Sequence, residues 1–240
     1  MRVGVYIDGF NLYYGGRSLF GKGTSCWKWL DLQKLGERLL STRSQWSAAS
    51  LERVVFCTAR IEQVSNQSAY VDQDIYLRAL AASGSIDTVE LGYYVTRIKQ
   101  GALARKTRGT SFEHIDMRGA QILRGRPPVI VSVAIREEKG SDVNVAAHLL
   151  HDALTHAIDA AIVISNDSDL AFALRTARQY VPVGTVNPSP NYLAGALKGR
   201  PSDGVGNHWW TQLNNDDFRN CQLSDPVPDG GSLLRKPSGC

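Results

Sequence analysis

Residues 159–170, DAAIVISNDSDL, decide the architecture: the apolar run Ala160 to Ile164 is unbroken and ends in Ser165, Asn166 and two acids, Asp167 and Asp169. An apolar run closed by turn-forming residues reads as a strand buried on both faces, and such strands belong to parallel sheets covered by helices. The start of the chain repeats the pattern, because MRVGVYIDGFNLYYG at 1–15 carries an apolar run into Asp8, with Asn11 three residues on. A third run, VIVSVAI at 129–135, passes through REEKGS to Asp142. Strands are expected at Val3–Ile7, Arg53–Thr58, Thr88–Val95, Val129–Ile135, Ala160–Ser165 and Val181–Val186. Helices are expected at Asp31–Leu40, Ser68–Ala82, Asp142–Ala157 and Ser168–Tyr180. The third helix is the clearest, with Val143, Ala146, Ala147, Leu150, Ala153, Leu154 and Ala157 at three- and four-residue spacing and Ser141 as its expected N-cap. This alternation predicts an α/β sandwich around a mainly parallel sheet.

The composition agrees with one well-cored domain. The chain has 240 residues, 43% of them apolar and 21% charged, which excludes collagen-like, disordered and small disulfide-stapled classes. Cys26, Cys57, Cys221 and Cys240 lie far apart without a C-x-x-C pair, so no zinc cluster or redox motif is written, and Cys57 reads as core. The N-terminus has no apolar signal region and no stretch is long enough to span a membrane, so a cytoplasmic protein is expected. Residues 1–197 read as one domain. From Lys198 ten prolines and glycines punctuate the chain, so 198–240 is expected to drape over that domain, anchored by Trp209, Trp210, Leu213 and Phe218.

The net charge of +4 conceals an uneven distribution. Between two expected strands, residues 97–128 hold Arg97, Lys99, Arg105, Lys106, Arg108, Arg118, Arg124 and Arg126 against Glu113 and Asp116, a net of +6. The remainder is therefore −2. A basic insertion on an acidic body suits a polyanionic partner.

The acids of the body stand at strand ends. In open parallel sheets ligands bind beyond the carboxyl ends of strands, where Asp8, Asp142, Asp167 and Asp169 fall. If the first strand neighbours Ala160–Ser165, the four carboxylates are expected to converge, and their repulsion calls for a divalent cation. Oxygen ligands favour Mg²⁺ or Mn²⁺. Singly, each aspartate is more commonly explained as a helix cap or turn residue. Asp152 lies ten residues beyond Asp142, about 15 Å along a helix, and is expected to pair with His148 outside the cluster. His148, His151 and Asp152 lack the H-E-x-x-H order of a zinc site. Three other enzyme classes lack their signatures: a haloacid-dehalogenase-type phosphatase needs an acid where Phe10 stands, a Toprim domain needs glutamate where Asp8 stands, and no G-x-G-x-x-G follows Ile7.

Together, VYIDGFNLYYG, YLRAL followed by VELGYYV, EEKGSDVNVAAHLLHDA, DAAIVISNDSDLAFALR, CQLSDPV and RKP resemble the NYN domains, a branch of the PIN-like nuclease superfamily. The resemblance implies a Rossmann-like three-layer α/β/α sandwich and a metal-dependent endoribonuclease, a hydrolase acting on single-stranded or structured RNA. On matching motifs it makes Asp8, Asp142, Asp167 and Asp169 the catalytic acids and ligands of Mg²⁺ or Mn²⁺. Asn11, Ser165, Glu138 and Lys139 would support them or touch substrate. Tyr13 and Tyr14 would stack on bases, and Arg97, Lys99, Arg105, Lys106, Arg108, Arg124 and Arg126 would contact phosphates. The other expectation is a non-catalytic RNA-binding or protein-interaction module that retains the pocket. Many relatives read S-G-D-S-D-F where this chain has Asn166 and Leu170, and its tail ends in KPSGC where the subgroup often carries tryptophan.

Overall fold

The computed structural model describes residues 1–24, 27–46, 48–109, 111–123 and 126–238. Cys26, Cys240 and the expected phosphate contact Arg124 lie outside them. The chain divides into a body, Met1–Tyr93 with Lys139–Cys240, and a second unit, Tyr94–Glu138.

In the body, β1 (Arg2–Asp8) runs directly into α1 (Gly9–Phe20), a helix absent from the sequence expectation. Gly15 and Gly16 lower its propensity and interrupt its apolar stripe. Gly15 is nevertheless required, since a Cβ there would lie 2.3 Å from the Pro188 carbonyl oxygen. Then come α2 (Leu32–Ser41), β2 (Ser50–Ala59), α3 (Gln67–Ala82) and β3 (Thr88–Ala102). The last of these continues seven residues past its expected end at Val95 and enters the second unit.

That unit also contains the short antiparallel pair β4 (Ala104–Lys106) and β5 (Phe112–His114), and β6 (Ile130–Lys139) as far as Glu138. With Arg136, Glu137 and Glu138 included, it carries nine basic and four acidic residues. Some of that charge is neutralised internally, because Arg105 pairs with Glu113 and Lys99 pairs with Glu137, while the Arg136 guanidinium lies over the Tyr94 ring, 4.1 Å from its centre. Arg97, Lys106, Arg108 and Arg126 are exposed.

The chain returns through Gly140, whose φ of +100° is left-handed, into α4 (Ser141–Leu154). Gly140 is therefore the N-cap, without a side-chain cap bond, and Ser141 is the first helical residue, contrary to expectation. Next are β7 (Ala160–Ile164), a 3₁₀ turn at Ser168–Leu170, α5 (Ala171–Ala177), β8 (Val183–Asn187) and α6 (Gly195–Lys198). The tail supplies β9 (Trp209–Gln212), α7 (Asn215–Asn220) with a capping box from Asn214, and the hairpin β10 (Val227–Asp229) and β11 (Ser232–Leu234). Trp209, Leu213 and Phe218 are buried. Trp210, an expected anchor, is 45% exposed, because neighbours along a strand face opposite sides.

The seven strands follow the order β6-β3-β2-β1-β7-β8-β9, and the pairings from β3 to β9 are all parallel. Val3, Val5 and Ile7 of β1 face a core with Leu12, Leu35 and Leu80 of the first three helices, while Tyr6 faces another with Val145, Leu149 and Leu174. These two cores make the body the three-layer α/β/α sandwich that the sequence implied. No described helix is long and apolar enough to cross a membrane.

Candidate active site

From β1 the chain proceeds outward through β2 and β3, and later returns on the opposite side of β1 through β7, β8 and β9. The crevice between β1 and β7 is thus the point where strand order reverses, where open α/β sheets bind ligands. Asp8 ends β1, and Ser165, Asn166 and Asp167 follow β7 directly.

Asp8 is 2% exposed and is the N-cap of α1. Its Oδ1 accepts the Asn11 backbone N–H at 3.0 Å, and its Oδ2 accepts Asn11 Nδ2 at 2.7 Å and Ser165 Oγ at 3.0 Å. Ser165 Oγ in turn accepts the Asp167 backbone N–H at 3.1 Å, so one hydroxyl ties the two acids together. Asn11 bridges the strands again, its Oδ1 accepting the Asn166 N–H at 3.2 Å. Burial raises the Asp8 pKa above the ordinary carboxylate value, its hydrogen bonds oppose that rise, and the charge of Asp167 adds to it.

Asn11 and Ser165 thus link the segment of Asp8 to that of Asp167 by hydrogen bonds. The expected convergence of all four acids is not what the structure shows: among the described residues no three His, Cys, Asp or Glu side chains form a group able to hold a metal ion. Asp169 is exposed, beyond Asp167, whose Oδ1 accepts its N–H at 3.0 Å in the 3₁₀ turn. Asp142 occupies the first turn of α4, just after Gly140, where a Cβ would lie 3.8 Å from Gly92 Cα of β3.

Asp8, Cys57 and Glu90 stand in register across β1, β2 and β3. Cys57 is buried, and desolvation, with the charges of Glu90 and Asp8, pushes its thiol up to about 12, so it is an inert core residue. The expected His148–Asp152 pair is replaced by two separate ones. His148 Nε2 lies 3.1 Å from Glu90 Oε1. Asp152, 1% exposed, accepts the Tyr6 hydroxyl at 2.7 Å and Arg53 Nη1 at 3.0 Å. Both side chains point at the sheet, where long-range partners outcompete a helix-surface pair.

Tyr13 and Tyr14, on α1 close after Asp8, are 41% and 55% exposed and meet edge to face at 5.3 Å. Lys139 opens the return to the body, whereas Glu138 ends the second unit. Sequence reading did not single out Glu90 or the contacts of Asn166 with the loop after β8, since these depend on partners distant in the chain.

The mostly parallel seven-stranded sheet with helices on both faces is consistent with the α/β PIN-like class of folds. The NYN domain family model matches residues 2–185, and the chain belongs to that family. NYN domains are of the nuclease type, generally act on RNA and generally depend on divalent metal ions. The chain is 29% identical over 260 aligned positions to the 6-hydroxy-3-succinoylpyridine 3-monooxygenase HspA of Pseudomonas putida, covering 99% of this chain and 73% of that protein. It is also similar to the crystal structure of a protein of unknown function from Vibrio parahaemolyticus, at 14% identity and a TM-score of 0.44, over 90% of this chain and 94% of that one.

Proposed function

We propose that this protein is a metal-dependent endoribonuclease. The observation that carries the reading is the meeting of two acids at the β1–β7 crevice: the Ser165 hydroxyl donates to buried Asp8 and accepts the Asp167 N–H, and the hydrogen-bond donors to Asp8, Asn11 and Ser165, are neutral. The donor set fits Mg²⁺ or Mn²⁺, because Mg²⁺ keeps much of its water and needs only one or two protein carboxylates beside substrate phosphate. Asp8 and Asp167 would hold the ion.

When bound, the cation lowers the pKa of a water and stabilises charge on the phosphoryl group. Asn11 and Ser165 fix the Asp8 oxygens in one orientation, so that little reorganisation is needed during reaction. Asp169, the exposed acid, takes the proton of the attacking water. The water oxygen bonds to phosphorus, the bond to the 3′-oxygen breaks, and that oxygen takes a proton from solvent while Asp169 returns its own to solvent, giving 5′-phosphate and 3′-hydroxyl ends. Tyr13 and Tyr14 stack on unpaired bases, while Arg97, Lys106, Arg108 and Arg126 take up phosphates with the partly paired Lys99 and Arg105.

The test is cleavage of a defined single-stranded RNA with Mg²⁺, Mn²⁺ or chelator, using Asp167→Asn as control. Metal-dependent cleavage lost in the variant supports the reading, and equal cleavage in chelator or by the variant contradicts it. Metal-independent RNA binding without cleavage would favour the non-catalytic module. Similarity to HspA over 99% of this chain favours a second reading, hydroxylation of a hydroxypyridine. Turnover of 6-hydroxy-3-succinoylpyridine with oxygen and a two-electron reductant, and none of RNA, would establish it instead.

A further inference from the structure

The loop between β8 and α6 carries Tyr192, whose side chain is 98% exposed. Its backbone, by contrast, is held from several sides. Asn166 Nδ2 donates to the Tyr192 carbonyl at 3.1 Å, and Asn166 Oδ1 accepts the Ala194 N–H at 2.7 Å. Before it, the Asn191 carbonyl accepts Asn187 Nδ2 at 2.6 Å and Gln212 Nε2 at 3.0 Å. Asn187 Oδ1 also accepts the Ser189 N–H at 2.9 Å. Three amide side chains thus fix the loop while leaving one aromatic ring uncovered. Asn166 stands between Ser165 and Asp167, and its own N–H is bound by Asn11. A continuous line of hydrogen bonds joins Asp8 to the Tyr192 backbone. The clip uses the Asn166 side chain, which a glycine at this position would lack.

We infer that Tyr192 is a base-stacking residue of the RNA site, receiving the unpaired nucleobase next to the scissile phosphate. This rests on the ribonuclease reading. A ring on an immobilised backbone gives up little conformational entropy on binding, and every nucleobase offers it a π-face regardless of sequence. Tyr13 and Tyr14 sit on α1, which follows β1, and Tyr192 belongs to the loop clipped to the residues after β7, so aromatic rings come from both strands of the crevice.

The test compares Tyr192→Ala, Tyr192→Phe and Asn166→Gly with wild type on one single-stranded RNA, by kcat/KM and by anisotropy of binding. Because the ring is solvent-exposed, Tyr192→Ala should fold normally, and thermal melting checks this. The alanine variant should lose about fivefold to a hundredfold in kcat/KM, the phenylalanine variant should stay within about twofold, and Asn166→Gly should fall between them. Removing the base beside the cleaved bond from the RNA should reduce the wild-type rate similarly and the alanine variant no further. Wild-type rates in Tyr192→Ala, or equal losses for RNA with and without that base, would overturn the stacking role alone. A wild-type chain that neither binds nor cleaves RNA would overturn the ribonuclease reading and this inference with it.

Discussion

Two buried carboxylates separate what the body needs for folding from what its site can do. Asp152 is 1% exposed and meets a charge supplied by the chain, the Arg53 guanidinium, as well as the Tyr6 hydroxyl. Asp8 is 2% exposed, its hydrogen-bond donors Asn11 and Ser165 are neutral, and a second acid, Asp167, adds to its electrostatic burden. A buried charge must be compensated or it neutralises itself by protonation. At Asp152 compensation comes from within the fold. At Asp8 the fold supplies neutral donors and a repelling acid, and the metal proposed there would supply the compensation otherwise left to a proton.

The largest effect should come from removing the second acid at the crevice. Substituting an outer partner of a metal ligand typically costs tenfold to a hundredfold, so Asp167→Asn, which removes a ligand, should lower RNA cleavage by more than about a hundredfold. Ser165→Ala, which unties Asp8 from the Asp167 backbone, should fall within about tenfold to a hundredfold. At the other acid the change should appear in stability. Arg53→Met leaves Asp152 buried without its cation and should cost about 3 kcal/mol by chemical denaturation. A variant at position 53 that lost activity while keeping its stability would erase the distinction between the two acids.

Metal and pH should sharpen it further. A raised Asp8 pKa favours the protonated carboxyl in the fold, so its contribution to stability is fully present below the ordinary carboxylate range and is lost as pH rises through the raised folded value. At neutral pH, Mg²⁺ binding to the native state should therefore raise the melting temperature, and the increment should fade on acidification as protons compete. Asp167→Asn should abolish it. A smaller effect is expected in the second unit. Replacing Lys106 and Arg108 by alanine should flatten the salt dependence of single-stranded RNA binding by about 0.7 per charge, and Arg105→Ala, already paired with Glu113, should flatten it less.

Much of this was legible from local pattern. The apolar runs ending at Asp8 and Ile164 gave the central strands, and their polar successors, Asn11, Ser165 and Asp167, belong to the crevice as observed. The helix α1 was not legible, because its two glycines weaken the signal that its close approach to Pro188 requires. Nor was the true arrangement of Asp142, which depends on α4 starting beside β3, a matter of tertiary placement. Asn166 looked like a mere departure from a family motif until its amide was seen holding the Tyr192 loop.

The most direct measurement is a calorimetric titration of Mn²⁺ into the full chain and into Asp167→Asn at neutral pH. Saturable binding by the wild type, weakened at least about tenfold in the variant, is the expected result. No binding by the wild type, or equal affinity in both proteins, would contradict a cation held by Asp8 and Asp167.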